Sequence, residues 1–335
     1  MKLKIIKKCT DKSLSLAGLL LWALWFTGCD PNKDEPIIST IVYIAGYQEN
    51  AQNISVAKLW KNGVAQNLTD GTYDAEANSV YVSGKDVYVS GWEKNTQGYR
   101  VAKLWKNGVA QNLSDGTRWA EANSVYVSDK DVYVAGYEYN AAYYPVAKLW
   151  KNGVAQNLSD GTHWTEATSV YVFGGDVYVA GWDGRNAKLW RNGVVQNLTD
   201  ETSSLGKANS VFVSAGDVYV AGYENNIAKL WKNGVAQNLS DEICWAAANS
   251  VFVSGKDVYV AGQENAIAKL WKNGVAQDLT DGAYFVEVVS VYVSENNIYV
   301  VINEDYTIKL WKNGVIQKLT NRMYHAYAKS VFVVK

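Results

Sequence analysis

The tripeptide Lys-Leu-Trp occurs seven times, with its tryptophan at positions 60, 105, 150, 190, 231, 271 and 311. The spacing is 45 residues twice and then 40 or 41. Each copy runs on into Lys or Arg and then Asn-Gly-Val. Two further elements keep the same beat. A Val-Tyr-Val-Ala-Gly type segment starts at Val42, Val87, Val132, Val177, Val218, Val258 and Ile298. A Ser-Val-Tyr/Phe-Val segment starts at Ser79, Ser124, Ser169, Ser210, Ser250, Ser290 and Ser330. A period of this length marks an array of one supersecondary unit, each copy needing its neighbours to bury a core.

Within residues 79–114 the local chemistry predicts four strands and no helix. Ser79–Val82 is a β-branched and aromatic run, strand A. Ser83-Gly84-Lys85-Asp86 is a turn, followed by strand B at 87–91 and strand C at 101–105. Asn107-Gly108 supplies positive φ at two successive positions, the requirement of a type I′ hairpin leading into strand D at 109–113. Strands A and B are apolar on both faces, as sheets covered on both sides are. Strand D is polar, which suits an outer edge and discourages sheet-to-sheet pairing. The repeat region opens on a strand B at Ile41–Ile44 and ends on a strand A at Ser330–Val333. Joined, the two ends complete one blade, a permutation that an open solenoid would not need. The expected fold over 40–335 is therefore all-β: a seven-bladed β-propeller of four-stranded antiparallel blades, closed by pairing of the last strand with the first. The period resembles that of WD40 and kelch propellers, though no Trp-Asp strand end or kelch glycine doublet is present. That resemblance implies architecture and no function.

The first residues read as a targeting segment. Lys2, Lys4, Lys7 and Lys8 precede an apolar stretch, 14–26, too short to span a bilayer comfortably. It ends in Phe26-Thr27-Gly28-Cys29, which resembles the lipobox of bacterial lipoproteins, with Phe26 departing from the usual leucine. The resemblance implies a leader at 1–28 and lipidation of Cys29 as the first mature residue. Multiple acyl chains would then anchor the protein stably to a membrane. The run from Asp30 to Pro36 is polar and carries Pro31 and Pro36, so residues 29–39 read as a tether. The acidic tract after Cys29 resembles the surface-export tract of lipoproteins from Gram-negative gut anaerobes. The expected location is the bacterial cell envelope, lipid-anchored at the outer membrane, with the cell surface as an alternative. Once the leader and the lipidated residue are set aside, Cys244 stands alone and no intrachain disulfide framework is expected.

Antiparallel alternation places the A–B and C–D turns on one face of the ring and the B–C loops and D-to-A connections on the other. The C–D turn is Asn-Gly in every copy, whereas the opposite face varies in length and content. The chain has 14 tryptophans, two of them in the leader and seven in strand C. The other five, Trp92, Trp119, Trp164, Trp182 and Trp245, all map to the variable face. Trp92 and Trp182 follow strand B directly and are expected to pack. Trp119, Trp164 and Trp245, with Tyr73, Tyr284 and Tyr324, lie in D-to-A connections and form a candidate contact surface, because aromatic side chains dominate binding hot spots. Packing over the blade junctions is the competing reading. Glu76, Glu121, Glu166 and Glu287 sit just before strand A, next to the axis, as ordinary solvated charge or as an acidic mouth for a sugar or basic peptide.

Composition closes off other classes. A formal net charge of −1 offers no field for nucleic acid. His163 and His325 are the only histidines and fall in unrelated loops, and no nucleophile motif, phosphate loop or paired Cys/His spacing occurs. One carboxylate per blade does not converge as calcium requires, so no metal or cofactor is expected. Non-catalytic recognition of a glycan or protein by a monomeric, lipid-anchored propeller is the leading expectation. The alternatives are a glycan hydrolase using two of the mouth carboxylates, such as Glu121 and Glu166, and a structural subunit of an envelope complex.

Overall fold

The computed structural model describes residues 40–200, 205–282 and 285–335. The segments expected to be a leader and a tether, Cys29 and Tyr284 lie outside the described residues. Strands β1 (Ile41–Glu49), β2 (Ser55–Lys61) and β3 (Val64–Asn67) are followed by β4 (Ala75–Ser83), β5 (Asp86–Lys94), β6 (Arg100–Lys106) and β7 (Val109–Asn112). The same four-strand unit then recurs as β8–β11 (residues 120–157), β12–β15 (165–197), β16–β19 (206–238), β20–β23 (246–278) and β24–β27 (286–318), and the chain ends on β28 (Ala326–Val334). Each unit is one antiparallel meander, and blade 1 has the order β28-β1-β2-β3. Blades 2–7 follow in chain order. In every blade, strands A to D run outward from the axis.

The ring closes as its termini predict. β28 pairs antiparallel with β1, from Ile41↔Val334 to Gln48↔Ala326. The serine opening each Ser-Val-Tyr/Phe-Val segment ties its blade to the next. Val125 N–H donates to Ser79 Oγ at 3.3 Å, and the same bond recurs around the circle until Val80 N–H donates to Ser330 Oγ at 3.4 Å. Two positions further on, the rings of Tyr81, Tyr126, Tyr171, Phe212, Phe252, Tyr292 and Phe332 form an unbroken collar, neighbouring centroids lying 4.7–5.0 Å apart. Seven-fold repetition of one strand thus produces a closed belt of tilted aromatic contacts, a favoured geometry.

The strand C tryptophans explain the Lys-Leu-Trp beat. Each is buried between its own blade and the preceding one. Trp105, for instance, packs with Tyr43, Ala45 and Leu59 of blade 1, and Trp60 packs with Val301 and Leu310 of blade 7. The closing interface is therefore built like the others. Losing one such ring costs about 3–5 kcal/mol.

The inner strands are longer than the sequence pattern suggests. Strand A of blade 2 starts at Ala75, not Ser79, because a bulge between Ala77 and Ser79 interrupts the alternation that would have revealed it. The same irregularity occurs in every strand A. It drives the Glu121 carbonyl onto Gly136, where an added Cβ would lie 2.0 Å from that oxygen. Strand B likewise extends past 91 to Lys94, so Trp92 is a strand residue. All seven C–D turns have positive φ at both Asn and Gly.

Candidate functional site

The bulge corrects the placement of the acidic residues. Glu76, Glu121, Glu166 and Glu287 are the second residues of β4, β8, β12 and β24, not loop residues. Their register partners on strand B are Trp92, Tyr137, Trp182 and Asn303. Three of them are matched by cations. Arg100 ion-pairs with Glu121, Lys329 Nζ lies 3.8 Å from Glu76, and Lys207 stands near Glu166 while its ammonium sits 4.1 Å over the Trp182 ring. Glu287 accepts a hydrogen bond from Asn303 Nδ2 at 3.3 Å. Three of the four carboxylates at the mouth therefore have a cation near them. Burial pushes the Glu76 and Glu166 carboxyls above the usual range, with Lys329 and Lys207 opposing it. Further acids, Glu93, Glu138 and Glu224, lie near the end of strand B and pair with the repeated lysines Lys103, Lys148 and Lys229.

The tryptophans divide cleanly. Trp92 and Trp182 are 2% and 9% exposed, whereas Trp119, Trp164 and Trp245 are 41%, 49% and 45% exposed. Exposed apolar side chains scattered singly are ordinary, whereas contiguous ones mark an interaction site. Trp119 and Trp164 are brought together through Tyr139, whose ring meets both edge-on at centroid distances of 6.4 and 6.1 Å. Tyr137 lies 5.9 Å from Tyr139 on the inner side. Trp245 belongs to the connection into blade 6, Tyr73 to that into blade 2 and Tyr324 to that into blade 1, and none of them joins this cluster. Phe285, beside the undescribed Tyr284, is exposed.

Against this cluster opens a cleft of about 250 Å³, lined by Tyr99, Thr117, Arg118, Trp119, Tyr139 and Tyr143. It lies between the B–C loops of blades 2 and 3. Those loops are five residues long, 95–99 and 140–144, and each is folded by its first asparagine. Asn140 Oδ1 accepts from the N–H groups of Ala142 and Tyr144 at 2.9 and 3.1 Å, and its Nδ2 donates to the Gly161 carbonyl at 2.8 Å. Asn95 does the same with Gln97, Tyr99 and Gly116. Side-chain-to-backbone bonds of this kind fix a loop without regular structure. The connection carrying Trp119 is tied to strand B, because Tyr139 N–H donates to the Trp119 carbonyl at 2.8 Å.

Arg100, Arg118, Tyr99 and Tyr139 are site residues that the sequence pattern does not single out. The Arg100 guanidinium lies 4.0 Å over the Trp92 ring and 5.2 Å from that of Trp119, while it holds Glu121. Burial alone would lower its pKa; Glu121 outweighs that and keeps it raised. The available signal is departure from the repeat: Ser55 and Pro145 stand where Arg100 does, and Glu49 and Lys94 where Tyr139 does. Among the described residues no group of three or more His, Cys, Asp or Glu side chains is gathered to hold a metal.

No family model matches the chain, and no curated protein matches it. Solved structures match by fold. A mutant of puromycin hydrolase complexed with PGG superposes with a TM-score of 0.57 at 11% identity, over 84% of this chain and 52% of that one. A puromycin-hydrolyzing peptidase of Mycobacterium tuberculosis gives 0.56 at 10% identity, over 83% and 53%. A structure from a study of two prolyl endopeptidases gives 0.52 at 13% identity, over 87% and 50%. The chain thus spans about half the length of these peptidases, and the likeness establishes the propeller fold alone.

Proposed function

We propose that this protein is a non-catalytic lipoprotein of the bacterial cell envelope whose variable face binds a glycan or protein partner. One observation carries the reading: Tyr99, Trp119, Tyr139 and Tyr143 line a single cleft, with Trp164 beside it, on loops fixed by hydrogen bonds before any ligand arrives. Pre-ordered aromatic walls bind with little loss of side-chain freedom.

The peptidase likeness favours an enzyme only if the matched half of those chains carries the chemistry. Hydrolysis by mouth carboxylates finds partial support in the raised Glu166, which suits an acid. Its counterpart Glu121 is held by Arg100. A glycan and peptide array probed with the purified protein tests the proposal. Trp119→Ala and Trp164→Ala are expected to weaken the captured ligand at least about tenfold, with the unfolding midpoint unchanged. Undiminished binding in both variants, or turnover of the captured ligand that Glu121→Gln abolishes, would overturn it.

A further inference from the structure

The cleft contains one cation without an anion. Arg118 Nη1 donates to the Asn140 carbonyl at 3.3 Å, and no carboxylate among the described residues lies within ion-pair distance of its guanidinium. The neighbouring cations differ: Arg100 is held by Glu121, Lys94 Nζ lies 2.8 Å from Asp74, and Lys148 Nζ lies 2.9 Å from Glu138. Asp115 and Glu121 are the nearest acids in sequence, three positions to either side, and Glu121 is the one held by Arg100; Asp115 remains. It feels the Arg118 charge, but it is occupied by the Thr117 N–H and hydroxyl, both at 2.8 Å from Oδ1. The carbonyl bond uses one of the five guanidinium hydrogens and leaves a planar fork for an incoming acceptor. Around it stand the rings of Trp119, Tyr139 and Tyr143, with the Thr117 hydroxyl and the tyrosine hydroxyls as polar groups.

Resting on the recognition reading above, we infer that this cleft takes a sugar ring bearing a carboxylate, its C–H face against Trp119 and Tyr139 and its carboxylate on Arg118. A sugar ring offers what the lining asks for: an apolar face, a hydroxyl edge and a single planar anion. A bidentate arginine–carboxylate contact supplies orientation as well as affinity. An acidic peptide would offer the anion without the rigid ring, and a neutral sugar the ring without the anion. The carboxylate could come from a uronic acid or a sialic acid, which share this chemistry.

Titration calorimetry of the purified protein at low salt separates these. The probes are galacturonic acid trimers, sialyllactose, their neutral counterparts galactotriose and lactose, and an oligoglutamate peptide. One of the two acidic sugars is expected to bind at least about tenfold tighter than its neutral counterpart, the scale of one charge-assisted contact. The preference should vanish in Arg118→Gln at unchanged unfolding midpoint and survive in part in Arg118→Lys. Which acidic sugar wins identifies the source. Trp119→Ala should weaken the acidic and neutral sugars alike. Equal binding of acidic and neutral sugars, an unaffected Arg118→Gln, or binding of the peptide alone would overturn the sugar-acid assignment while leaving aromatic recognition standing. Failure of every probe would also overturn this assignment, and the array experiment above then decides the recognition reading separately.

Discussion

On one face of the disc, seven Asn-Gly turns repeat the same small construction. Asn152 Oδ1 accepts from Val132 N–H at 2.8 Å and its Nδ2 donates to Asp131, while Lys151 pairs with Asp131 and covers the Tyr133 ring. Close equivalents recur at the other six turns, with the acid replaced by Ile41 in blade 1 and by Asn297 in blade 7. On the other face, asparagine again folds the longer loops of blades 1, 2 and 3, as Asn50, Asn95 and Asn140, whereas in the short B–C turn of blade 5 Asn225 Oδ1 accepts from Leu205 N–H at 3.0 Å. The aromatic cleft falls within the arc of the longer loops. The fold is therefore secured by the uniform face and by the interior, so the other face can differ from blade to blade without loss of the ring. Binding surfaces on loops carried by a rigid scaffold follow the same division.

The comparison can be broken first at the seam. Removing β28 by ending the chain at His325 deletes the inner strand of blade 1 together with the Ser330 bond and the Phe332 contacts in the collar. Both faces should be lost together. Circular dichroism and denaturant titration should show no cooperative transition, whereas a solenoid-like chain would lose only its last unit.

A smaller effect separates the faces within blade 3. Asn152→Ala removes two hydrogen bonds and the residue best suited to φ of 51°, and should cost about 1–2 kcal/mol in equilibrium unfolding while ligand binding persists. Asn140→Ala should cost less stability, yet it should weaken binding at the cleft, because it releases the loop that carries Tyr143. Equal binding loss in the two variants would erase the distinction between scaffold face and recognition face.

The smallest effect lies in the mouth. The folded-state pKa of Glu166 is raised above its unfolded value, so the native state holds its proton longer, and stability falls as pH rises through the raised value. Glu166→Gln should remove that decline, giving a slight gain at neutral pH and none below the ordinary glutamate range. A variant less stable than the parent at pH 7 would mean that Lys207 repays more than burial costs.

Much of the architecture was legible because its signals are local. A two-residue turn with positive φ calls for Asn-Gly, and a repeated Trp every 40–45 residues implies a repeated interface. The acidic positions were misplaced for an equally local reason: a bulge adds Asn78 to the strand and reverses the alternation upstream of it. Gly91 opposite the bulge is the clue, since glycine inside a strand marks close approach of another backbone. The site itself was legible only in part. Trp119 and Trp164 stood out as tryptophans where turns are normally polar, but Tyr139, Arg100 and Arg118 show only as departures from the repeat, which do not say that these side chains meet.

The sequence by itself determined the number of blades, the closure of the ring and the face that varies, because each follows from short-range chemistry counted along a periodic chain. Only the tertiary structure decided which of the scattered aromatic residues meet, which carboxylates are neutralised and which arginine is left without an anion. Those outcomes depend on side chains from different blades, 19 or more residues apart, converging across a junction that no local pattern encodes.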